Sequence, residues 1–141
     1  MPDKVFFDTN IFVYAFDNSN PVKMATSREL LFKFSSKNSA VISYQVIQEF
    51  LNVCYKLSKS STLSSTINEF IQQEMCSRWQ VNPSIQLFNK AIAIKEKHKF
   101  SYYDALIIAA ALEAKCASIF SEDLQHLQKI ELTQVINPYV I

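Results

Sequence analysis

The sequence contains no glycine among its 141 residues, whereas average usage of about 7% would give roughly ten. Glycine supplies backbone conformations that other residues reach only at a cost in free energy. Walker loops, dinucleotide-binding fingerprints, nucleophile elbows and EF-hand loops all depend on it. The sequence therefore excludes the common nucleotide-binding, α/β-hydrolase and EF-hand calcium-binding motifs.

A strong excess of either charge is also missing, since 14 basic and 13 acidic residues leave a net charge of +1. The protein is therefore not a highly basic nucleic-acid coat, although a local basic patch is compatible with this balance. The three cysteines, Cys54, Cys76 and Cys116, are odd in number and far apart. They fit neither a zinc motif nor a disulfide framework, so we expect buried, reduced thiols in a cytoplasmic protein.

Long hydrophobic runs are absent as well. The longest purely apolar run covers residues 105–112, which is far short of the roughly 18 residues that span a membrane. The first residues do not have the form of a signal peptide. We therefore expect no membrane association and a cytoplasmic location.

The composition is that of a globular domain, with 49% hydrophobic and 19% charged residues. A chain of this length forms one domain and buries roughly 70% of its unfolded surface. We therefore expect a single domain over residues 1–141.

Strand and helix patterns alternate along the chain. Strands are predicted at residues 5–7, 40–43, 78–81, 117–120 and 134–136, and helices at 11–16, 22–34, 46–57, 63–75, 85–98 and 102–115, with a turn at 58–65 and a short helix after 121–123. Ser43, Ser84 and Ser101 are expected to cap helices. This alternation predicts an α/β fold, with a mostly parallel sheet between two helical layers.

Four carboxylates are predicted to lie at one edge of this sheet. Asp8 and Asp123 follow strands directly, and Asp104 and Glu49 lie near the starts of helices, Asp104 in the most apolar helix of the chain. Ligands bind open parallel sheets beyond the carboxyl ends of the strands, where strand order reverses. These four side chains are therefore expected to converge there.

Each carboxylate also has a purely structural interpretation. Asp8 and Asp123 are good helix caps, Asp104 fits a capping box with Ser101, and Glu49 suits a solvated helix edge. Taken singly, these structural roles are favoured. Four carboxylates at one edge are less easily explained in this way.

Clustered carboxylates favour a divalent cation. A like-charged pair at 4 Å costs about 4 kcal/mol at an effective dielectric constant of 20. Mg²⁺ or Mn²⁺, which prefer oxygen ligands, would offset that repulsion, activate water and neutralise phosphate charge. Hydrolysis of a phosphodiester is the natural reaction class. His98 and His126 lie in no catalytic motif and are expected at the surface.

Four short segments resemble conserved motifs of the PIN-domain family, above all its VapC-type toxin ribonucleases. They are residues 5–10 (VFFDTN), 48–50 (QEF), 101–107 (SYYDALI) and 121–126 (SEDLQH). The resemblance implies a three-layer α/β/α domain with a five-stranded parallel sheet of order 3-2-1-4-5. It also implies metal-dependent cleavage of RNA, a homodimer and a partner antitoxin.

Carried over by position, the resemblance implies that Asp8, Glu49, Asp104 and Asp123 are the catalytic, metal-binding carboxylates. Thr9, Asn10 and Ser121 match supporting positions, and Glu122 is a weaker candidate. Similar proteins often have glycine where this chain has Leu127, and this difference puts the shape of that loop in doubt.

Cations and aromatic rings near the predicted site are candidates for RNA contacts. Lys97 and Lys99, with Lys95 and His98, precede Asp104 and suit phosphate binding, but they equally suit a solvated helix end. Tyr102, Tyr103 and Phe12 suit base stacking, although Phe12 and Tyr103 are equally good core residues.

Two other functions compete with a nuclease. One is a catalytically inactive PIN-like module that holds RNA or protein, which would show no metal-dependent stabilisation. The other is a carboxylate-based phosphatase or receiver domain, whose acidic motifs the DTN sequence at 8–10 lacks. A further hypothesis is that helices 46–57 and 63–75, through Phe70, form an arm that an antitoxin grips.

Overall fold

The protein is described by a computed structural model that covers residues 3–57 and 63–140. The helices are α1 (Thr9–Phe16), α2 (Pro21–Lys33), α3 (Tyr44–Leu57), α4 (Leu63–Phe70), α5 (Ile85–His98) and α6 (Tyr102–Glu113). The strands are β1 (Val5–Phe7), β2 (Ala40–Ser43), β3 (Trp79–Val81), β4 (Ser118–Phe120), β5 (Lys129–Ile130) and β6 (Thr133–Ile136).

The strands form one sheet in the order β3-β2-β1-β4-β6-β5. The first five strands in that order pair in parallel, and β5 pairs antiparallel with β6. The predicted order 3-2-1-4-5 is thus confirmed for the parallel strands, and the predicted count of five is wrong by one. The extra strand has only two residues, too few to leave a recognisable alternation in the sequence.

Helices cover both faces of the sheet. Every residue of β1 and β2 is buried, and successive strand residues point to opposite faces. Helix α6 packs against α5, β2 and β4, while α1 packs against α2 and α3. The expected α/β architecture with a largely parallel sheet is confirmed.

Three local predictions are wrong. Ser43 directly precedes α3 but its side chain does not cap it, because its hydroxyl has no hydrogen-bond partner within the described residues. No helix follows residues 121–123, where bends at 122–124 and a turn at 126–127 lead to β5. Ser121 Oγ donates to Asp8 and accepts from the amides of Asp123 and Leu124 in this loop. Cys76 is exposed, whereas Cys54 and Cys116 are buried as expected. Burial raises the pKa of Cys54 to about 11 and that of Cys116 to about 12, so neither is a reactive thiolate.

The helix predicted at 63–75 is only partly regular. Helix α4 ends at Phe70 and continues as a π-helical turn over Ile71–Met75 and a 3₁₀ turn over Cys76–Arg78. The predicted turn at 58–65 lies mainly outside the described residues. Phe70 stacks on Phe50 with ring centroids 5.2 Å apart, so it belongs to internal packing.

The glycine-free chain adopts left-handed backbone conformations at ordinary residues. Within residues 3–57 and 63–140, five non-glycine residues have positive φ, namely Asn38, Lys99, Lys115, Leu127 and Glu131. Leu127, at which the resemblance put the shape of the loop in doubt, has φ of 68°. It therefore adopts a backbone conformation that suits glycine and that costs a leucine about 1–2 kcal/mol.

No helix in residues 3–57 or 63–140 is long and apolar enough to cross a membrane. His126, expected at the surface, is half-buried. Its Nδ1 accepts a hydrogen bond of 2.9 Å from the backbone amide of Asn137. This contact ties the segment after β6 to the loop that follows β4.

Candidate active site

The pairing of β1 with β4 brings the first and fourth acidic segments together. Asp8 follows β1, and its amide donates a hydrogen bond of 3.0 Å to the carbonyl of Phe120, the last residue of β4. Ser121 follows Phe120 directly and donates from Oγ to Asp8 Oδ2 at 2.7 Å. Parallel strands end at the same edge, so two segments more than 100 residues apart meet there.

Asp8 lies buried at the centre of this edge. Its Oδ1 accepts from the Thr9 amide at 2.7 Å, so it caps α1 as the structural interpretation predicts. Burial raises the pKa of Asp8 to about 6, the hydrogen bonds from Ser121 and Thr9 oppose the rise, and the charges of Glu49 and Asp123 add to it. Ionisation of Asp8 therefore costs free energy in this environment, and a bound cation would remove that cost.

Glu49 reaches the same edge from α3. Its Oε2 accepts a hydrogen bond of 2.9 Å from Thr9 Oγ1, and its Oε1 accepts one of 2.6 Å from Gln45 Nε2. The same Gln45 nitrogen also donates to the carbonyl of Tyr103 at 3.1 Å. Gln45 thus connects Glu49 to the residue that precedes Asp104.

Asp123 and Asp104 complete the acidic group. The amide of Asn10 donates from Nδ2 to Asp123 Oδ2 at 3.1 Å. Burial raises the pKa of Asp123, and the neighbouring charges of Asp104 and Glu122 raise it further. Asp104 is half-buried, and its backbone amide donates to Ser101 Oγ at 3.2 Å, the first half of the predicted capping box.

Glu122 is occupied by other partners. Tyr14 donates from its hydroxyl to Glu122 Oε1 at 2.6 Å, and Lys23 forms an ion pair with Oε2. Burial by itself would raise the pKa of Glu122, but the hydrogen bonds from Lys23 and Tyr14 outweigh it and lower the pKa. Lys23 thus supplies a counter-charge to Glu122, the carboxylate next to Asp123.

The donor set fits a divalent cation in its chemistry. All four carboxylates offer oxygen, the ligand type that Mg²⁺ and Mn²⁺ prefer, and their mutual charges raise the pKa values of Asp8 and Asp123. Among residues 3–57 and 63–140, no three acidic, histidine or cysteine side chains form a ready-made metal-binding group.

Sequence patterns did not identify Gln45, Tyr14 or Lys23 as residues of the site. Gln45 precedes Glu49 by four residues on one helix, and this spacing puts both side chains on one face. That signal was available. Tyr14 and Lys23 reach Glu122 only through tertiary packing, and nothing in their local sequence indicates it.

The candidate RNA contacts lie in different environments. Lys97 and Lys99 are exposed at the end of α5. Tyr102 is partly buried against the core, with its ring edge-on to that of Tyr103. Phe12 is fully buried, which excludes it from base stacking, whereas Tyr103 is 67% exposed.

Comparison with known proteins places the chain in a family. Residues 5–131 match the family model of the PIN domain. Ribonuclease VapC23 of Mycobacterium tuberculosis is 32% identical over 63 residues, or 45% of this chain and 50% of that protein. The chain thus spans about half the length of the curated relatives that it matches.

Solved structures share the fold at low sequence identity. A chain of a toxin–antitoxin complex from Klebsiella pneumoniae superposes with a TM-score of 0.68 at 18% identity, covering 96% of this chain and 98% of that one. VapC20 of Mycobacterium tuberculosis, a toxin that cleaves the sarcin–ricin loop, gives a TM-score of 0.65 at 14% identity, covering 85% and 90%. Because the PIN domain model matches residues 5–131, which is most of this chain, the chain belongs to the PIN domain family.

Proposed function

We propose that this protein is an endoribonuclease that hydrolyses RNA phosphodiester bonds with the help of Mg²⁺ or Mn²⁺. The observation that carries the proposal is the buried Asp8, which lies between Ser121 and Thr9 and is charge-coupled to Glu49 and Asp123. A buried carboxylate surrounded by other carboxylates is costly unless it has a cationic ligand. The ribonuclease activity of the related VapC23 supports RNA as the substrate.

In this proposal Asp8, Glu49, Asp104 and Asp123 hold the metal. A bound divalent ion lowers the pKa of water and neutralises charge on a phosphate. The other residues position these carboxylates: Ser121 fixes Asp8, Asn10 fixes Asp123, and Thr9 fixes Glu49 together with Gln45. Such supporting contacts typically change metal affinity or activity by about 10- to 100-fold when they are removed.

We further propose that the protein is the toxin of a toxin–antitoxin pair, forms a homodimer and acts in the cytoplasm as one domain over residues 1–141. Toxin–antitoxin complexes among the structural neighbours support an antitoxin partner. A groove of about 610 Å³ between α2 and α4 offers a surface for it. Phe32 lines this groove and is 84% exposed. Phe70, which is half-buried, lines the same groove, so an antitoxin would make apolar contact through Phe32 and the exposed part of Phe70.

The decisive test is cleavage of transfer RNA and of unstructured RNA by the purified protein. We expect cutting with Mn²⁺ or Mg²⁺, none with chelator and none by Asp8→Asn. Asp3→Asn, at an exposed position near the start of β1, is the matched control and should cut normally.

The alternative is an inactive PIN-like binding module. Absence of cutting together with absence of a thermal shift on adding Mn²⁺ would favour it. Full cleavage by Asp8→Asn would overturn the proposed active site.

A further inference from the structure

Two consecutive carboxylates, Glu122 and Asp123, lie in the loop after β4, and one helix holds both of them. Asn10 donates from Nδ2 to Asp123 Oδ2 at 3.1 Å, and Tyr14 donates from its hydroxyl to Glu122 Oε1 at 2.6 Å. Asn10 and Tyr14 are four residues apart on α1, so their side chains lie on the same face of that helix. The loop is therefore attached to α1 through two neighbouring side chains.

Lys23, on α2, completes this attachment. Its Nζ forms an ion pair with Glu122 Oε2 and donates to the Tyr14 hydroxyl oxygen at 3.3 Å. The same Nζ lies 4.9 Å from the centroid of the Tyr14 ring, which is an attractive cation–π geometry. The side chains of Lys23 and Glu122 are 31% and 24% exposed, so solvent screens their ion pair less than one at the open surface. We call Tyr14, Lys23 and Glu122 the anchor cluster.

Asp123 depends on this attachment for its position. It is exposed, so packing against other residues does little to fix its side chain. Its direction is set by Asn10 and by the contacts that hold the loop backbone just before it. Those contacts come from Ser121, whose Oγ accepts from the Asp123 amide at 3.2 Å, and from Glu122, through the anchor cluster.

Glu122 itself is poorly placed to bind a divalent cation. Each of its carboxylate oxygens already has a partner, Tyr14 for Oε1 and Lys23 for Oε2. A metal ion on this carboxylate would lie beside the Lys23 ammonium, and like charges in a partly buried site repel each other. The Glu122 carboxylate therefore suits a role in holding the loop.

We propose that the anchor cluster positions Asp123 for metal binding and that Glu122 is not itself a metal ligand. This inference rests on the proposed ribonuclease function and adds Tyr14 and Lys23 to the residues on which its metal site depends. Both act only through the loop that carries Asp123, which makes them positioning residues. Loss of such an outer contact typically weakens metal affinity by about 10- to 100-fold.

Two tyrosines that pack against each other provide the test variant and its matched control. Tyr14→Phe removes the hydroxyl that donates to Glu122 and keeps the ring, which packs edge-on against that of Tyr139 with centroids 5.1 Å apart. Tyr139→Phe also removes one hydroxyl, which shares a hydrogen bond of 2.7 Å with Ser27 Oγ. Each variant loses one hydrogen bond from the same ring pair, but only Tyr14→Phe loosens Glu122.

The affinity for Mn²⁺ alone is measured by titration calorimetry on the full chain, after thermal unfolding in chelator has shown that both variants are folded. We expect Tyr14→Phe to bind Mn²⁺ about tenfold more weakly than the wild type and Tyr139→Phe to bind it equally well. Equal weakening in both variants would overturn the proposal, because it would mean a general loosening of the fold. Tighter binding by Tyr14→Phe would also overturn it, since the freed Glu122 would then be a ligand.

Replacements of Lys23 test the anchor cluster from its other side. Lys23→Met removes the ion pair and should weaken Mn²⁺ binding at about 0.15 M salt, where distant exposed charges are largely screened. Lys23→Arg keeps a cation that can pair with Glu122 and should restore wild-type affinity. Tighter binding by Lys23→Met would contradict the proposal, because it would show that Lys23 acts on the metal only through its positive charge.

Mn²⁺ binding and RNA cleavage separate this inference from the ribonuclease itself. Weaker Mn²⁺ binding by Tyr14→Phe supports the positioning role even if no RNA is cut. Equal binding by Tyr14→Phe and the wild type overturns that role and leaves the ribonuclease standing if the wild type cuts RNA. A wild type that binds no Mn²⁺ overturns the inference whether or not RNA is cut.

Discussion

The hydroxyl of Ser121 donates a hydrogen bond of 2.7 Å to Oδ2 of Asp8, across 113 positions of sequence. The Ser121 Oγ atom also accepts hydrogen bonds from the backbone amides of Asp123, at 3.2 Å, and Leu124, at 3.4 Å. One side chain therefore sets the position of Asp8 and the shape of the loop that carries Asp123. Two of the four carboxylates are held relative to each other through it.

Replacement of Ser121 by alanine should accordingly weaken the site and the fold together. We expect a loss of about 1.5–3 kcal/mol in the free energy of unfolding, because a hydrogen bond to a charged group is removed. Cleavage should fall about 10- to 100-fold. Urea unfolding and initial cleavage rates at saturating Mn²⁺ measure the two effects.

Ser39→Ala is the matched control for that variant. Ser39 precedes β2 at the opposite edge of the sheet, and its hydroxyl donates to the Ser36 carbonyl at 2.6 Å. Its loss should leave the cleavage rate unchanged. An equal fall in both variants would show that stability alone controls the rate.

Asp8→Asn should abolish cleavage and stabilise the metal-free protein. The folded-state pKa of Asp8, about 6, lies above the ordinary 3.8. Folding therefore favours the protonated form of Asp8. The stability that this protonation contributes is present at low pH and is lost as the pH rises through about 6. At pH 7 we expect the free energy of unfolding of Asp8→Asn to exceed that of the wild type by about 1–3 kcal/mol.

Thermal unfolding in chelator at pH 4 and pH 7 checks this expectation. The difference between Asp8→Asn and the wild type should shrink toward pH 4, and Asp3→Asn should show no such trend. Addition of Mn²⁺ at pH 7 should raise the melting temperature of the wild type and not that of Asp8→Asn. A less stable Asp8→Asn at pH 7 would contradict the cost assigned to the buried charge.

The parts of this structure that the sequence predicted are those with strong local signals. Apolar β1 and β2, each next to cap-forming residues, were located to the residue, and the start of α6 after Ser101 was also correct. The positions of Asp8 and Asp123 followed from one topological rule, that parallel strands end at one edge.

The features that were missed depend on tertiary contacts. Ser43 has a good capping side chain, yet it lies in β2 with its hydroxyl unpaired within the described residues. The ion pair between Lys23 and Glu122 joins two segments 99 residues apart, and no local pattern encodes it. Gln45 alone carried a readable signal, its spacing of four residues from Glu49.

Leu127→Gly should stabilise the protein. Leu127 has φ of 68° and a side chain that is 55% exposed, so glycine would relieve backbone strain with little loss of packing. The left-handed conformation costs a leucine about 1–2 kcal/mol, while glycine loses about 0.5–1 kcal/mol in entropy. We expect a net gain of about 0.5–1 kcal/mol in urea unfolding.

Leu132→Gly provides the comparison for that change. Leu132 is 92% exposed and is not among the residues with positive φ. Glycine at position 132 should destabilise the protein, because it adds the entropic cost of glycine and relieves no backbone strain. A loss of stability in both variants would mean that Leu127 is not strained.

Lys97 and Lys99 should contribute to RNA affinity through phosphate contacts. Both are exposed at the end of α5, the segment that leads to Ser101 and Asp104. For a single strand, each lost phosphate contact lowers the slope of log affinity against log salt by about 0.7. We expect Lys97→Gln and Lys99→Gln each to reduce the slope in this way and to weaken binding of all RNA sequences alike.

Titrations of labelled RNA between 50 and about 200 mM salt measure this slope. The control is Lys37→Gln, which lies before β2 at the opposite edge of the sheet. A slope that changes equally in the control would indicate a general charge effect, and an unchanged slope in all three would show that α5 ends in solvent.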